Sequence, residues 1–167
     1  MKFLIVGLLA LALAAPASAR SGNGGVAAKA QPQVEVHRGL GYSRDLRNLT
    51  PRVVKMLAAA NHIAHRPYVW GGGHGAWRSH GYDCSGSVSY VLHKAGLIGR
   101  PRVSGDLARF GKPGRGEYVT IYANSHHVWM TIAGVRYDTS ALRINGSRWT
   151  KQRRPKHGFV VRHPAGL

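Results

Sequence analysis

Cysteine is nearly absent from this 167-residue chain, which holds a single one, Cys84. A lone cysteine excludes any disulfide within the chain and leaves a free thiol, an intermolecular partner or a buried inert sulfur as its possible fates. Acids are scarce too: six Asp and Glu stand against 24 Lys and Arg, for a formal net charge of +18. That imbalance favours polyanionic partners. Long apolar runs are missing apart from Phe3 to Ala15, which falls short of the roughly 20 residues needed to cross a bilayer. No stable membrane anchor is therefore expected. With Lys2 ahead of that run and Ala17-Ser18-Ala19 behind it, residues 1–19 have the layout of a secretory signal peptide cleaved near Ala19. The expected location is outside the cytoplasm, in the periplasm, in the cell wall or secreted. Export makes nucleic acid a poor partner and anionic envelope polymers better ones. No grouping of ligands has metal-site spacing and no repeat is visible, so neither metal nor organic cofactor is expected.

The stretch RSGNGGVAAKAQPQVEV has no sustained periodicity, and residues 20–49 read as a flexible leader. A single domain is expected over residues 50–167, long enough to bury a core without staples. Thr50 is a suitable N-cap and Pro51 a suitable first helical residue. Val53, Leu57, Ala60 and Ala64 then share one face of an amphipathic helix that stops before Pro67. A glycine-rich turn, Gly71 to Gly73, follows. A second helix is predicted from Cys84 to Ala95, with Gly96 as its stop. Downstream, EYVTIYA, HVWMTIAG, VRYDTS and GFVVRH read as short strands, the second and third joined by a hairpin at Gly134. Helices followed by strands predict an α+β domain with the Cys84 helix packed on an antiparallel sheet.

At the N-terminus of its helix, the Cys84 sulfur would lie among unpaired backbone N–H groups that favour an anion. Cysteines placed there, beside histidine, become nucleophiles. Of the ten histidines, His62, His65, His93, His157 and His163 fall on helices or in the basic tail. His126 and His127 stand at the mouth of a strand. Across the Gly134 hairpin, Asp138 comes back close to His127 and can orient it, although a turn or cap role is its plain alternative.

In that order and spacing, PYVWGGGH, GYDCSGSVSYVLHKAGL and HVWMTIAG resemble the NlpC-type cell-wall cysteine peptidases, papain-like bacterial enzymes with a compact α+β core. The resemblance covers roughly residues 52–140. It implies that Cys84 is the nucleophile of the D-C-S-G motif and His127 the general base. The third polar residue, usually a histidine, is matched by Asp138. Tyr68 matches a tyrosine beside the oxyanion site, and Asp83 and Ser85 match motif residues that shape the cleft. A strand of the type P-G-D-L-V-F-F is replaced here by GRGEYVTIY, and residues 141–167 have no counterpart in the motif. The implied activity is hydrolysis of an amide in a peptidoglycan stem peptide, γ-D-glutamyl–diaminopimelate or a neighbouring bond, through a thioester and without cofactor. The alternatives are an amidase or transacylase acting on another amide, a non-catalytic cationic wall-binding module, and a nucleic-acid-binding protein suggested by the charge alone.

Overall fold

The computed structural model describes residues 34–167. The expected signal peptide and residues 20–33 of the expected leader lie outside the described residues. Helix α1 (Pro51–His62) starts where Thr50 accepts the Val53 N–H and Pro51 takes the first turn. Helix α2 (Cys84–Lys94) packs on α1 and on the sheet. A one-turn helix, α3 (Ser104–Leu107), leads into the strands.

Among the described residues, a six-stranded sheet contains β3 (Lys112–Pro113), β4 (Val119–Ala123), β5 (Val128–Ile132), β6 (Val135–Tyr137), β7 (Trp149–Thr150) and β8 (Val160–His163). Its spatial order is β3-β8-β4-β5-β6-β7, and every pairing is antiparallel. Ala133 and Gly134, with φ of 45° and 87°, make the tight turn between β5 and β6, a backbone shape that suits a two-residue hairpin. Val119, Ile121, Val128, Met130 and Ile132 point into the core with Val53, Met56, Val88 and Val91 of the helices. The alternate residues Tyr122 and Trp129 lie on the other face and stack with ring centroids 4.0 Å apart. GFVVRH does supply a strand, β8, inserted between β3 and β4.

Two expectations are corrected. Residues 34–49, assigned to the leader, are structured: a two-stranded hairpin of β1 (Glu35–His37) and β2 (Leu40–Tyr42) precedes a 3₁₀ turn at Leu46–Asn48. Asn61 of α1 holds this hairpin by accepting from Gly41 N–H and donating to Gly41 O, both at 2.8 Å. The same Asn61 Oδ1 accepts the Trp149 indole N–H at 2.8 Å. The hairpin is thus fixed by a side chain 20 residues downstream rather than by its own composition. In addition, VRYDTS is a strand only as far as Tyr137, because Asp138 caps a further helix, α4 (Thr139–Asn145).

Arg148, with 0% exposure, is buried without a carboxylate partner among the described residues and is solvated by carbonyls instead. Its guanidinium donates to the oxygens of Ile63 at 2.7 Å, Arg66 at 2.6 Å and Tyr82 at 3.0 Å. Ile63 is the C-cap of α1, where the helix dipole favours a cation, and Arg66 lies in the turn that follows. The third lies two residues before Cys84, so Arg148 ties the end of α1 to the start of α2. Methionine at 148 keeps the bulk but leaves the Arg66 and Tyr82 carbonyls without this partner, while the Ile63 carbonyl keeps only the Arg66 N–H at 3.1 Å. Arg148→Met is therefore expected to cost about 3–5 kcal/mol in urea unfolding. A loss below about 1 kcal/mol would show that the carbonyls find other partners.

Candidate active site

Asp83 is the N-cap of α2, and its Oδ1 accepts the Gly86 N–H at 2.6 Å. This puts Cys84 in the first helical position, ahead of the first intrahelical bond, Ser87 N–H to Asp83 O. The small residues after Cys84 have a steric reason. A side chain on Gly86 would collide with the carbonyl of Gly72, whose oxygen also accepts the Asp83 N–H. Buried Ser87 and Ser89 satisfy their hydroxyls on the carbonyls of Cys84 and Arg102, which allows the helix to be covered along almost its full length.

His127 immediately precedes β5, and the β5–β6 hairpin brings Asp138 to it: Nε2 lies 3.0 Å from Asp138 Oδ1. Nε2 is thereby committed, and the ring's other nitrogen, Nδ1, is left to serve the Cys84 thiol, whose titration His127 lowers. His126 is exposed, with its N–H held by Asn124 Oδ1 at 2.9 Å. Cys84 Sγ also lies 3.7 Å from Ser104 Oγ.

The electrostatics follow from these contacts. Burial pushes the Cys84 thiol up, but hydrogen bonds from His127, Ser104 and the Val128 backbone, with the His127 charge, outweigh it and hold the thiol below its ordinary value. Burial lowers His127, yet the bond to Asp138, the bond to Cys84 and their negative charges raise it to about 9. Asp138 is pushed up by burial and brought down to about 2 by His127 and by the backbone and hydroxyl of Ser140. The site favours a thiolate facing an imidazolium, with a carboxylate behind.

Tyr68 is half-exposed beside the thiol. Its phenol is raised by burial and by the neighbouring charges of Cys84 and Asp83. With His127, Thr139, Ser140, Leu142 and Arg143 it lines a groove of about 490 Å³. Asp83 and Ser85 are not free in that groove. Besides capping, Asp83 accepts the Gly71 N–H at 3.1 Å and the Ser85 hydroxyl at 3.2 Å. His74, which sequence reasoning missed, places Nε2 3.1 Å from both Asp83 Oδ1 and Ser85 Oγ. Two further unforeseen residues are Arg154, whose Nη1 donates to Asp138 Oδ2 at 3.0 Å and to Ser140 Oγ at 2.7 Å, and Arg136, whose Nε is 3.4 Å from Oδ2. Within a run of basic residues, nothing local distinguishes Arg154 from Arg153. Glu117, in the divergent stretch GRGEYVTIY, is exposed.

An α+β scaffold carrying a helix-terminal cysteine against a strand-borne histidine and a carboxylate is the frame of papain-like proteins. The model of the NlpC/P60 family matches residues 65–154, over half of the chain, and the chain belongs to that family. Over 70 residues it is 33% identical to the probable peptidoglycan endopeptidase LytE of Bacillus subtilis, an alignment covering 40% of this chain and 20% of that protein. The chain thus spans about one fifth of the length of that curated relative. Among solved structures, the P60 domain of an M. avium subspecies paratuberculosis antigen superposes with a TM-score of 0.52 at 24% identity, covering 66% of this chain and 93% of that one. The peptidoglycan hydrolase RipB of Mycobacterium tuberculosis superposes with a TM-score of 0.51 at 24% identity, over 67% and 64% of the two chains. Both similarities establish the fold.

Proposed function

We propose that this protein is an exported cysteine endopeptidase that hydrolyses an amide bond in peptidoglycan stem peptides, the γ-D-glutamyl–diaminopimelate bond being the first candidate. The observation that carries the proposal is the line Cys84–His127–Asp138, with His127 Nε2 3.0 Å from Asp138 and the imidazole and the Cys84 thiol close enough to shift each other's titration. Family membership, with similarity to the probable peptidoglycan endopeptidase LytE and the peptidoglycan hydrolase RipB, supports the substrate class. Residues 1–19 are the proposed export signal, and the basic surface is proposed to favour the anionic wall.

In the proposed reaction the Cys84 thiolate attacks the scissile carbonyl carbon and forms a C–S bond. The carbonyl electron pair moves onto oxygen, where the Cys84 N–H and the Tyr68 hydroxyl are the candidate donors. As the pair returns, the C–N bond breaks and the His127 imidazolium gives its Nδ1 proton to the departing amine. Neutral His127 then takes a proton from water, whose oxygen attacks the thioester carbonyl. The C–S bond breaks, and the carboxylic acid leaves with thiolate and imidazolium restored. Asp138 keeps its charge throughout and fixes the ring, and no cofactor takes part.

Digestion of purified peptidoglycan followed by mass analysis tests the substrate and the bond together. The expected products are stem fragments cut after D-glutamate, each partner bearing a new diaminopimelate amino terminus. A product profile unchanged from that of untreated peptidoglycan would overturn the assignment.

A further inference from the structure

Behind Asp138, on the sheet face that carries Tyr122 and Trp129, lies a cleft of about 890 Å³ that the reaction above does not use. Six cationic side chains line it: Arg115, Arg136, Lys151, Arg153, Arg154 and Lys156. Glu35 is the one acid in its lining, and Arg44 already pairs with it at 3.5 Å. Among the described residues, no carboxylate comes within ion-pairing distance of Arg115, Lys151, Arg153 or Lys156, all of which are exposed. The Trp129 indole N–H, buried in the same lining, has no hydrogen-bond partner among the described residues. The cleft therefore offers an excess of donors and positive charge with almost nothing to accept or neutralise them.

We propose that this cleft binds a linear polyanion whose charges are phosphodiesters spaced along a polyol or sugar chain, with Lys151 and Arg153 as principal contacts. Guanidinium groups take phosphate oxygens through paired, charge-assisted hydrogen bonds, and several cations along one cleft suit a repeating charge better than a single ion. Single-stranded nucleic acid fits less well, because it needs open aromatic faces on which bases stack. Here Tyr122 and Trp129 stack on each other and are only 1% and 2% exposed. Arg154 belongs both to the cleft and to the carboxylate behind His127, so a bound chain would lie against the back of the candidate active site.

The test is a titration by calorimetry of the Cys84→Ala chain with poly(glycerol phosphate), poly-glutamate and single-stranded DNA of matched charge. The variants are Lys151→Ser with Arg153→Ser and, as a control of equal charge loss, Arg78→Ser with Lys94→Ser from a separate basic cleft. Poly(glycerol phosphate) is expected to bind most tightly, with affinity falling steeply as salt rises. The Lys151/Arg153 variant should lose about tenfold in affinity, and the control less than about twofold. Equal losses from the two variants would overturn the proposal in favour of diffuse surface charge. Tighter binding of poly-glutamate or DNA, or no binding of poly(glycerol phosphate), would overturn it as well. Binding is read without turnover, so its failure is separate from failure of the peptidase assignment.

Discussion

Cys84→Ala is expected to lose hydrolysis of peptidoglycan by about 10⁴-fold or more, since it removes the proposed nucleophile and with it the covalent route. Folding should survive, because the first turn of α2 is held by Asp83 and by Gly86 against Gly72, and neither depends on sulfur. Cys84→Ser is the sharper comparison. A hydroxyl in the same place does not ionise beside a histidine held near 9, so serine should recover little of the lost rate. Release of new amino groups from peptidoglycan measures both variants. Retention of more than about a tenth of the parent rate by Cys84→Ala would show that the thiol is not the nucleophile.

Asp138→Asn is expected to lower kcat/KM by about 10²–10⁴-fold while leaving α4 in place. Asparagine caps helices about as well as aspartate, so the Ser140 N–H keeps its acceptor. What is lost is the negative charge shared by His127, Arg154 and Arg136, which lie 3.0, 3.0 and 3.4 Å from the carboxylate. The imidazolium then faces cations without a counter-ion, and its proton is held less firmly. Stability should respond to pH in a defined window. His127 is raised from 6.5 to about 9, so its contribution is complete below 6.5 and lost as pH rises through about 9. Asp138 is lowered from 3.8 to about 2, so its contribution is complete above 3.8 and lost as pH falls through about 2. The stability gap between parent and Asp138→Asn should therefore be widest between about pH 4 and 6.5, close on the acid side, and narrow without closing on the alkaline side, where Arg136 and Arg154 remain paired with the carboxylate. Equal activity of the two proteins across pH would remove Asp138 from the mechanism.

The parts legible in the sequence were those written in local chemistry. Thr50-Pro51 marks the start of α1, Asp83 marks the start of α2, and Gly134 marks the hairpin that brings Asp138 to His127. The α+β architecture follows from these switches of period. The remainder depends on contacts distant in sequence. The hairpin at residues 35–42 falls within the expected leader because the stretch leading into it, residues 20–36, has no sustained periodicity, whereas its anchor is Asn61. Asp138 terminates a strand and caps a helix at once, and a strand-period reading carried past it missed α4. Arg148 and Arg154 have the same side chain as their exposed neighbours. Only the carbonyls of Ile63, Arg66 and Tyr82 single out the first, and only Asp138 the second. His74 is likewise one histidine among ten until the Gly71–Gly73 turn folds it onto Asp83.

The central claim is that Cys84 stands as a thiolate because His127, backed by Asp138, faces it as an imidazolium. Titrating the thiolate absorbance near 240 nm tests this without any substrate, since Cys84 is the one thiol present. The parent should show a thiolate at pH values well below the ordinary thiol range, which is about 8.5. That signal should fall as acid protonates the pair, and His127→Ala should move the midpoint upward. A midpoint in the ordinary thiol range in the parent, unmoved by His127→Ala, would contradict the account.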